Sequence, residues 1–247
     1  MRSLTAVEMK VDGQAVDFDR YANGYEDDVD RSVSFTGRDS AFYARRKVEI
    51  LEEIVRPGLG PLQGLSLLDV GCGTGTTAQV LAPRVRTLHG VDVSEEMLLK
   101  AQQNVPQAQF SWYDGEMLPF DDGTFDVVVA ICVLHHVPVQ ERSQVVSEMV
   151  RVSRHEGVVA VFEHNPYNPL TRHAVNTCAL DSDAVLLPPR ETIELLKESA
   201  AVEPEHRHYL FTPLGGAIGC SLDRYLRRIP FGGQYVAWVP RSTAFAG

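Results

Sequence analysis

The stretch "LLDVGCGTGTTAQVLA", Leu67–Ala82, decides the fold. An apolar run closes on an acid, Asp69, and the glycines Gly71, Gly73 and Gly75 follow before a helix-forming segment. Strand, glycine turn and helix in that order open an α/β sheet whose ligands bind beyond the carboxyl ends of its strands. Glycines there permit positive φ and let a ligand approach the main chain. The spacing is G-x-G-x-G, whereas dinucleotide-binding turns carry G-x-G-x-x-G. An acid ahead of the turn suits a cationic ligand better than a pyrophosphate.

Working outward, apolar runs recur at "LSLLDV" from Leu65, "VRTLHGVDV" from Val85, "AQFSWYDG" from Ala108, "FDVVVAICV" from Phe125 and "GVVAVFEH" from Gly157. Val127–Val133 and Val158–Phe162 are nearly all apolar, as strands buried on both faces must be. Crossover helices are expected at Thr76–Ala82, at Glu95–Gln103 with Ser94 as N-cap, and at Glu141–Arg154 with Val145, Val146, Met149 and Val150 on its apolar face. This alternation predicts a doubly wound, mostly parallel α/β sheet with right-handed crossovers. Asp92 ends the second strand, where a carboxylate can accept both hydroxyls of a ribose, so it points to a nucleoside.

A single domain is expected, with residues 1–64 as an N-terminal helical cap, 65–164 as the ligand-binding core, 165–190 as a cap insertion, and 191–247 adding a C-terminal helix and strands. The chain has 247 residues, enough for one large core. Its net charge of -10 opposes non-specific binding to nucleic acid or anionic lipid. Its four cysteines show no C-x-x-C spacing, so a reduced, cytoplasmic setting is the expectation. No run approaches the roughly 18 apolar residues of a membrane span.

"LLDVGCGTG", "GVDVSEEML", "DGEMLPFDDGTFDVVVAICVLHHV" and "RSQVVSEMVRVSR" together resemble a class I S-adenosylmethionine-dependent methyltransferase, of the branch with quinone and small-molecule methyltransferases. The resemblance is continuous from about Leu67 to Phe162. It departs before the fifth strand, where the family has Pro-Gly-Gly and this chain has "RHEGVV". The resemblance implies a Rossmann-like, seven-stranded, mostly parallel sheet with an N-terminal helical lid and an insertion after the fifth strand. The implied cofactor is S-adenosyl-L-methionine, leaving as S-adenosyl-L-homocysteine. It also implies that Asp69 and Gly71, Cys72, Gly73 and Gly75 hold the methionine part and Asp92 the ribose, that Val93 is among the cofactor contacts, that Met97 packs nearby or against the adenine, and that Asp114 and Gly115 border the adenine. Cys132, Val133 and His135 would line the methyl-transfer face. Met97 also serves the apolar face of "EEMLLKA", and Asp114 also suits a turn before Gly115.

Methyl transfer asks chiefly for in-line positioning, and for a base where the acceptor carries a proton. The candidate bases are His135 and His136 after the fourth strand, and Glu163 and His164 after the fifth. Consecutive residues at a strand end point opposite ways, so one of the two histidines is expected to reach substrate. No recognised ligand spacing predicts a metal. Tyr21 and Tyr25 would share one face of a lid helix weakened by Asn23-Gly24, with Tyr21 on the cofactor. In the insertion, Tyr167, Arg172, His173 and Asn176 are the expected specificity contacts.

The expected acceptor is a small molecule. A tRNA-modifying enzyme is the alternative, for which "ARRK" from Ala44 and "DRYLRRIP" from Asp223 are the basic clusters. A non-catalytic adenosyl-nucleoside-binding or regulatory subunit is another. The acceptor atom, O, N or C, and the oligomeric state are left open.

Overall fold

A computed structural model describes residues 9–11, 14–16, 19, 24–210, 216–226 and 228–240. A hairpin of β1 (Met9–Val11) and β2 (Gln14–Val16) stands apart from the main sheet. Two helices follow, α1 (Tyr25–Val33) and α2 (Ser40–Leu59). The Asp39 carboxylate caps α2 by accepting from the Phe42 amide at 2.7 Å.

The core then alternates β3 (Ser66–Val70), α3 (Thr76–Leu81), β4 (Thr87–Asp92), α4 (Glu95–Asn104), β5 (Gln109–Trp112), β6 (Phe125–Ile131), α5 (Arg142–Val152) and β7 (Ser153–His164). It continues through α6 (Pro169–Thr177), α7 (Pro189–Ala200), β8 (Glu205–Tyr209), α8 (Gly216–Leu226) and β9 (Gln234–Pro240). The strands form one sheet of seven in the order β5-β4-β3-β6-β7-β9-β8, and β9 runs antiparallel to both its neighbours. The chain winds outward from β3 to β5, then restarts at β6 on the other side of β3. The crevice between the carboxyl ends of β3 and β6 is therefore the switch point, where ligands of open α/β sheets bind.

The strand period of two divides the core. Val128, Ala130, Val159 and Val161 face α5 and α7, packing with Val146, Met149 and Leu196. Val127, Val129, Ala160 and Phe162 face α2 and α3, packing with Leu51, Val55 and Leu81. Strands buried on both faces explain why these segments are apolar without alternation.

Three details differ from the sequence expectation. The helix expected over Glu141–Arg154 stops at Val152, because Ser153 joins β7 and pairs with Phe125 ahead of a register shift. Strand β8, "EHRHY", carries no apolar run because it is an edge strand with only its last two residues buried. Gly24 precedes the first turn of α1 as its N-cap, so Tyr25 begins the helix. Tyr21 lies outside the described residues. Phe162 is fully buried in a central strand, so Phe162→Ala should lower the free energy of unfolding by about 3–5 kcal/mol in urea denaturation.

Candidate active site

The turn after β3 and the end of β4 are tied together by one carboxylate. Asp92 accepts from the Gly73 amide at 2.8 Å through Oδ2 and from the Ser94 amide at 3.0 Å through Oδ1. Burial raises its pKa, and those amides counter the rise. The Ser94 hydroxyl in turn caps α4, accepting from the Met97 amide at 3.1 Å. The three glycines have separate tasks. A Cβ on Gly71 would strike Val133 at 2.6 Å, and one on Gly75 would press on Ala101 Cα at 3.2 Å. One on Gly73 would meet nothing nearer than the Tyr25 ring at 3.8 Å. Gly71 and Gly75 thus permit close packing, and Gly73 leaves its backbone bare toward a cavity.

That cavity, of about 320 Å³, runs along the carboxyl ends of β3, β4 and β6. Gly71, Gly73, Asp92, Val93, Met97 and Tyr113 line one part of it. α1 and α2 cover it with Tyr25, Val29, Val33, Tyr43 and Lys47, and α6 closes another side with Thr171, Ala174 and Val175. Ile131, Cys132, Val133, His135, His136, His164 and Asp181 line the far part.

There the turn after β6 is held by Glu163, which is fully buried. Its Oε1 accepts from the Val133 and Leu134 amides at 3.1 and 2.8 Å, and Oε2 lies 2.6 Å from His135 Nδ1. Nδ1 therefore carries the proton and Nε2 faces Asp181, whose Oδ1 lies 3.6 Å away and 3.4 Å from His136 Nε2. Burial drives the His135 pKa down, but the Glu163 and Asp181 carboxylates more than offset it and lift it well above the usual value. His136 is pushed down by burial and by His135. Arg142, fully buried, clamps the histidine turn to the 178–185 loop, donating to the Val137 carbonyl at 3.1 Å and the Val185 carbonyl at 2.7 Å, and pairing with Glu191 at 2.6 Å.

The matches to known proteins agree with this geometry. The model of the methyltransferase domain family matches residues 68–161. A demethylmenaquinone methyltransferase of Renibacterium salmoninarum is 30% identical over 169 residues, 68% of this chain and 66% of that protein. The chain belongs to the class I S-adenosylmethionine-dependent methyltransferases. A phosphatidylethanolamine N-methyltransferase of Cereibacter sphaeroides is 40% identical over 108 residues, 41% of this chain and 52% of that protein, so the match spans about half of that relative. An S-adenosylmethionine-dependent methyltransferase structure from Thermotoga maritima shares the fold with a TM-score of 0.66 at 18% identity, covering 91% of this chain and 98% of that one.

Within this family frame the structure redistributes several expected residues. Asp69 and Cys72 are buried beneath the glycine turn and do not line the cavity. Burial and the Asp92 carboxylate push the Asp69 pKa up to about 7 against the pull of Lys47. Asp114 and Gly115 stand outside the cavity wall, and Asp114 Oδ1 accepts from the Glu116 and Met117 amides at 2.9 and 3.0 Å as a turn residue does. Met97 is buried on the apolar face of α4 and also lines the cavity.

His135 and His136 both line the cavity, so the two rings do not point opposite ways as consecutive strand residues would. The strand has ended at Ile131 and a 3-10 turn, Leu134–His136, carries both rings to the same side, centroids 4.1 Å apart. Glu163 is withdrawn behind them. Arg172, His173 and Asn176 are exposed on the outer face of α6, and Tyr167 is exposed before it. The face of α6 toward the cavity is Thr171, Ala174, Val175 and then Cys178, at helical spacing.

Two cavity residues had no signal of their own. Asp181 reaches the histidines from a 3-10 turn in the insertion. Lys47 sits within "ARRK", read from sequence as surface charge, yet it is buried, as is Arg46, which pairs with Asp223 at 2.7 Å. That removes two of the three cations in one of the two basic clusters that a tRNA reading needs. Lys47 Nζ donates to Cys132 Sγ at 3.1 Å, and Cys132 holds a left-handed φ of 59° as the chain leaves β6. Such strain in a non-glycine residue gathers at functional sites.

Burial opposes ionisation of Cys132, but Lys47 and His164 more than offset it and bring its pKa down to about 6. Its alkylation by iodoacetamide, followed by peptide mass spectrometry, should rise through a midpoint near 6 and level off above it, and Lys47→Met should move that midpoint upward. Arg142→Met, which leaves buried acceptors without their donor, should cost about 3–5 kcal/mol in urea unfolding.

Proposed function

We propose that the protein transfers the methyl group of S-adenosyl-L-methionine to a small-molecule acceptor. The observation that carries this reading is the continuity of one cavity from Asp92 and the bare Gly73 backbone to the His135, His136 and Asp181 cluster. A cofactor bound with its ribose on Asp92 supplies an electrophilic methyl on sulfur. Main-chain amides of Gly73, Ser94 and Val93 take up part of the Asp92 carboxylate's acceptor sites and leave capacity toward a ribose hydroxyl. Val93, Met97 and Tyr113 flank the adenine side, with Asp114 and Gly115 at its outer border. Gly71, Gly73 and the Tyr25 ring contact the methionine part, with Asp69, Cys72 and Gly75 supporting the turn from behind.

Cys132, Val133 and His135 face the methyl. Glu163 orients His135 and holds the turn, so we assign it positioning. The acceptor's nucleophile lies against His136 and His135, with His164 at the cavity wall beside Gln234. The remaining walls, Val29, Val33, Tyr43, Ala174 and Val175, are largely apolar and suit an acceptor with a hydrophobic body. The alternation of a lipid and a quinone in the names of the two relatives accords with such an acceptor. Among the described residues no helix is long and apolar enough to cross a membrane, and Cys72, Cys132 and Cys178 are free thiols. We place the protein in the cytoplasm on those grounds.

Calorimetric titration with S-adenosylmethionine and S-adenosylhomocysteine is the first test. Both should bind, and Asp92→Ala should weaken each at least tenfold, since a hydrogen bond to a charged acceptor contributes about 1.5–3 kcal/mol. Methyl-labelled cofactor should then pass its label to members of a panel of phenols, quinols and other hydroxylated small molecules. Absence of cofactor binding to folded protein would sink the reading, and cofactor binding with no transfer to any acceptor would favour the regulatory-subunit alternative.

A further inference from the structure

We propose that His135, His136 and Asp181 form a divalent metal site whose open position takes an oxygen of the acceptor. One ring nitrogen from each imidazole and a carboxylate oxygen lie within 4.8 Å of one another. The identity of the acceptor class rests on the reading of this cavity as a methyl-transfer site; the metal site itself does not.

Four observations converge. First, three ligand atoms converge. With Nδ1 donated to Glu163 at 2.6 Å, His135 turns Nε2 toward the Asp181 carboxylate, and the positive charge that buried carboxylates demand there is met by a second ring proton or by an ion that replaces it. Second, the spacing suits an ion. The separations of Asp181 Oδ1 from the two imidazoles are 3.6 and 3.4 Å, beyond the usual 2.7–3.2 Å of a hydrogen bond. Ligands about 2.0–2.1 Å from a tetrahedral zinc stand about 3.3–3.4 Å apart, and two histidines with one carboxylate leave a fourth position open.

Third, His135 has the outer partner that metal-bound histidines have, a carboxylate on its other ring nitrogen that fixes tautomer and ring orientation. Fourth, the two ligand loops are stitched together. The Val185 amide donates to the His135 carbonyl at 2.8 Å, and the Ala184 amide to the Asp181 carbonyl at 3.0 Å. The site opens on the cavity beside Cys132 and Val133.

An acceptor oxygen bound to this ion would lose its proton to solvent. The oxygen then forms the new carbon–oxygen bond as the methyl–sulfur bond breaks, and that electron pair stays on sulfur. The substrate class is therefore a hydroxyl, phenol or enol rather than an amine.

The test uses untagged full-length protein stripped with a chelator and dialysed against zinc chloride, with metal counted by plasma mass spectrometry. The expected result is about one zinc per chain, with affinity at least tenfold weaker in Asp181→Asn. Cobalt in place of zinc should give visible ligand-field bands typical of four-coordination, lost in His136→Gln. Melting temperatures of both variants check that each is folded, and either variant alone suffices. Zinc bound equally by wild type and both variants, or no zinc bound by folded wild type, overturns the site. Titration of the same stripped samples with S-adenosylmethionine separates the two readings: cofactor binding without metal binding defeats the metal site alone, and metal binding without cofactor binding defeats the methyltransferase reading alone.

Discussion

A carboxylate with no access to water must find its donors inside the protein, and Glu163 finds three. The amides of Val133 and Leu134 and the imidazole of His135 all converge on it. Since it sits at the end of β7, this one side chain binds the exit of β6 to the neighbouring strand and sets where the chain turns. Its charge is retained by those donors even though burial opposes it, and the His135 imidazole is the largest of the compensating influences. The positions of both histidines, the left-handed Cys132 and the wall of the cavity follow from that anchor.

Asp92 does for the other half of the crevice what Glu163 does for this one. Each is an acid at a strand's carboxyl end whose oxygens collect main-chain amides, and each fixes a turn that borders the cavity. The switch point of the sheet thus has a polar lining in the one place where a doubly wound fold exposes strand ends. Helices from outside the core supply the remaining groups. Lys47 from α2 approaches Cys132 from above, and Asp181 approaches the histidines from the insertion.

What the sequence made legible follows the reach of each signal. The strand and crossover pattern, the glycine turn and Asp92 are local, and each is read within a dozen residues of itself. Ser94 as cap of α4 is equally local and is observed. Nothing in "ARRK" separates a surface cation from one turned inward by the packing of α2, so the burial of Lys47 has no local signal. Asp181 carries no local signal, because either acid of "ALDSDA" becomes a partner only when the insertion folds back on the histidine turn. On α6 the polar residues Arg172, His173 and Asn176 do not mark the cavity face. The structure instead places the helix's apolar and small residues inward, as burial demands. Strand geometry does not apply to the histidine pair, which lies four and five residues past the end of β6 in a 3-10 turn.

The antiparallel β9 sits between β7 and β8, although it is the last of the seven to be synthesised. While residues 210–233 are being made, β7 offers a long open edge and β8 has no neighbour at all. Such unpaired edges template association with other chains. A chain in which β9 has not docked therefore leaves two strand edges open to association. Its sheet is completed by insertion of β9 between two waiting strands, a closure that pairs residues as far apart in the chain as Val158 and Pro240 and that such long-range contact makes slow.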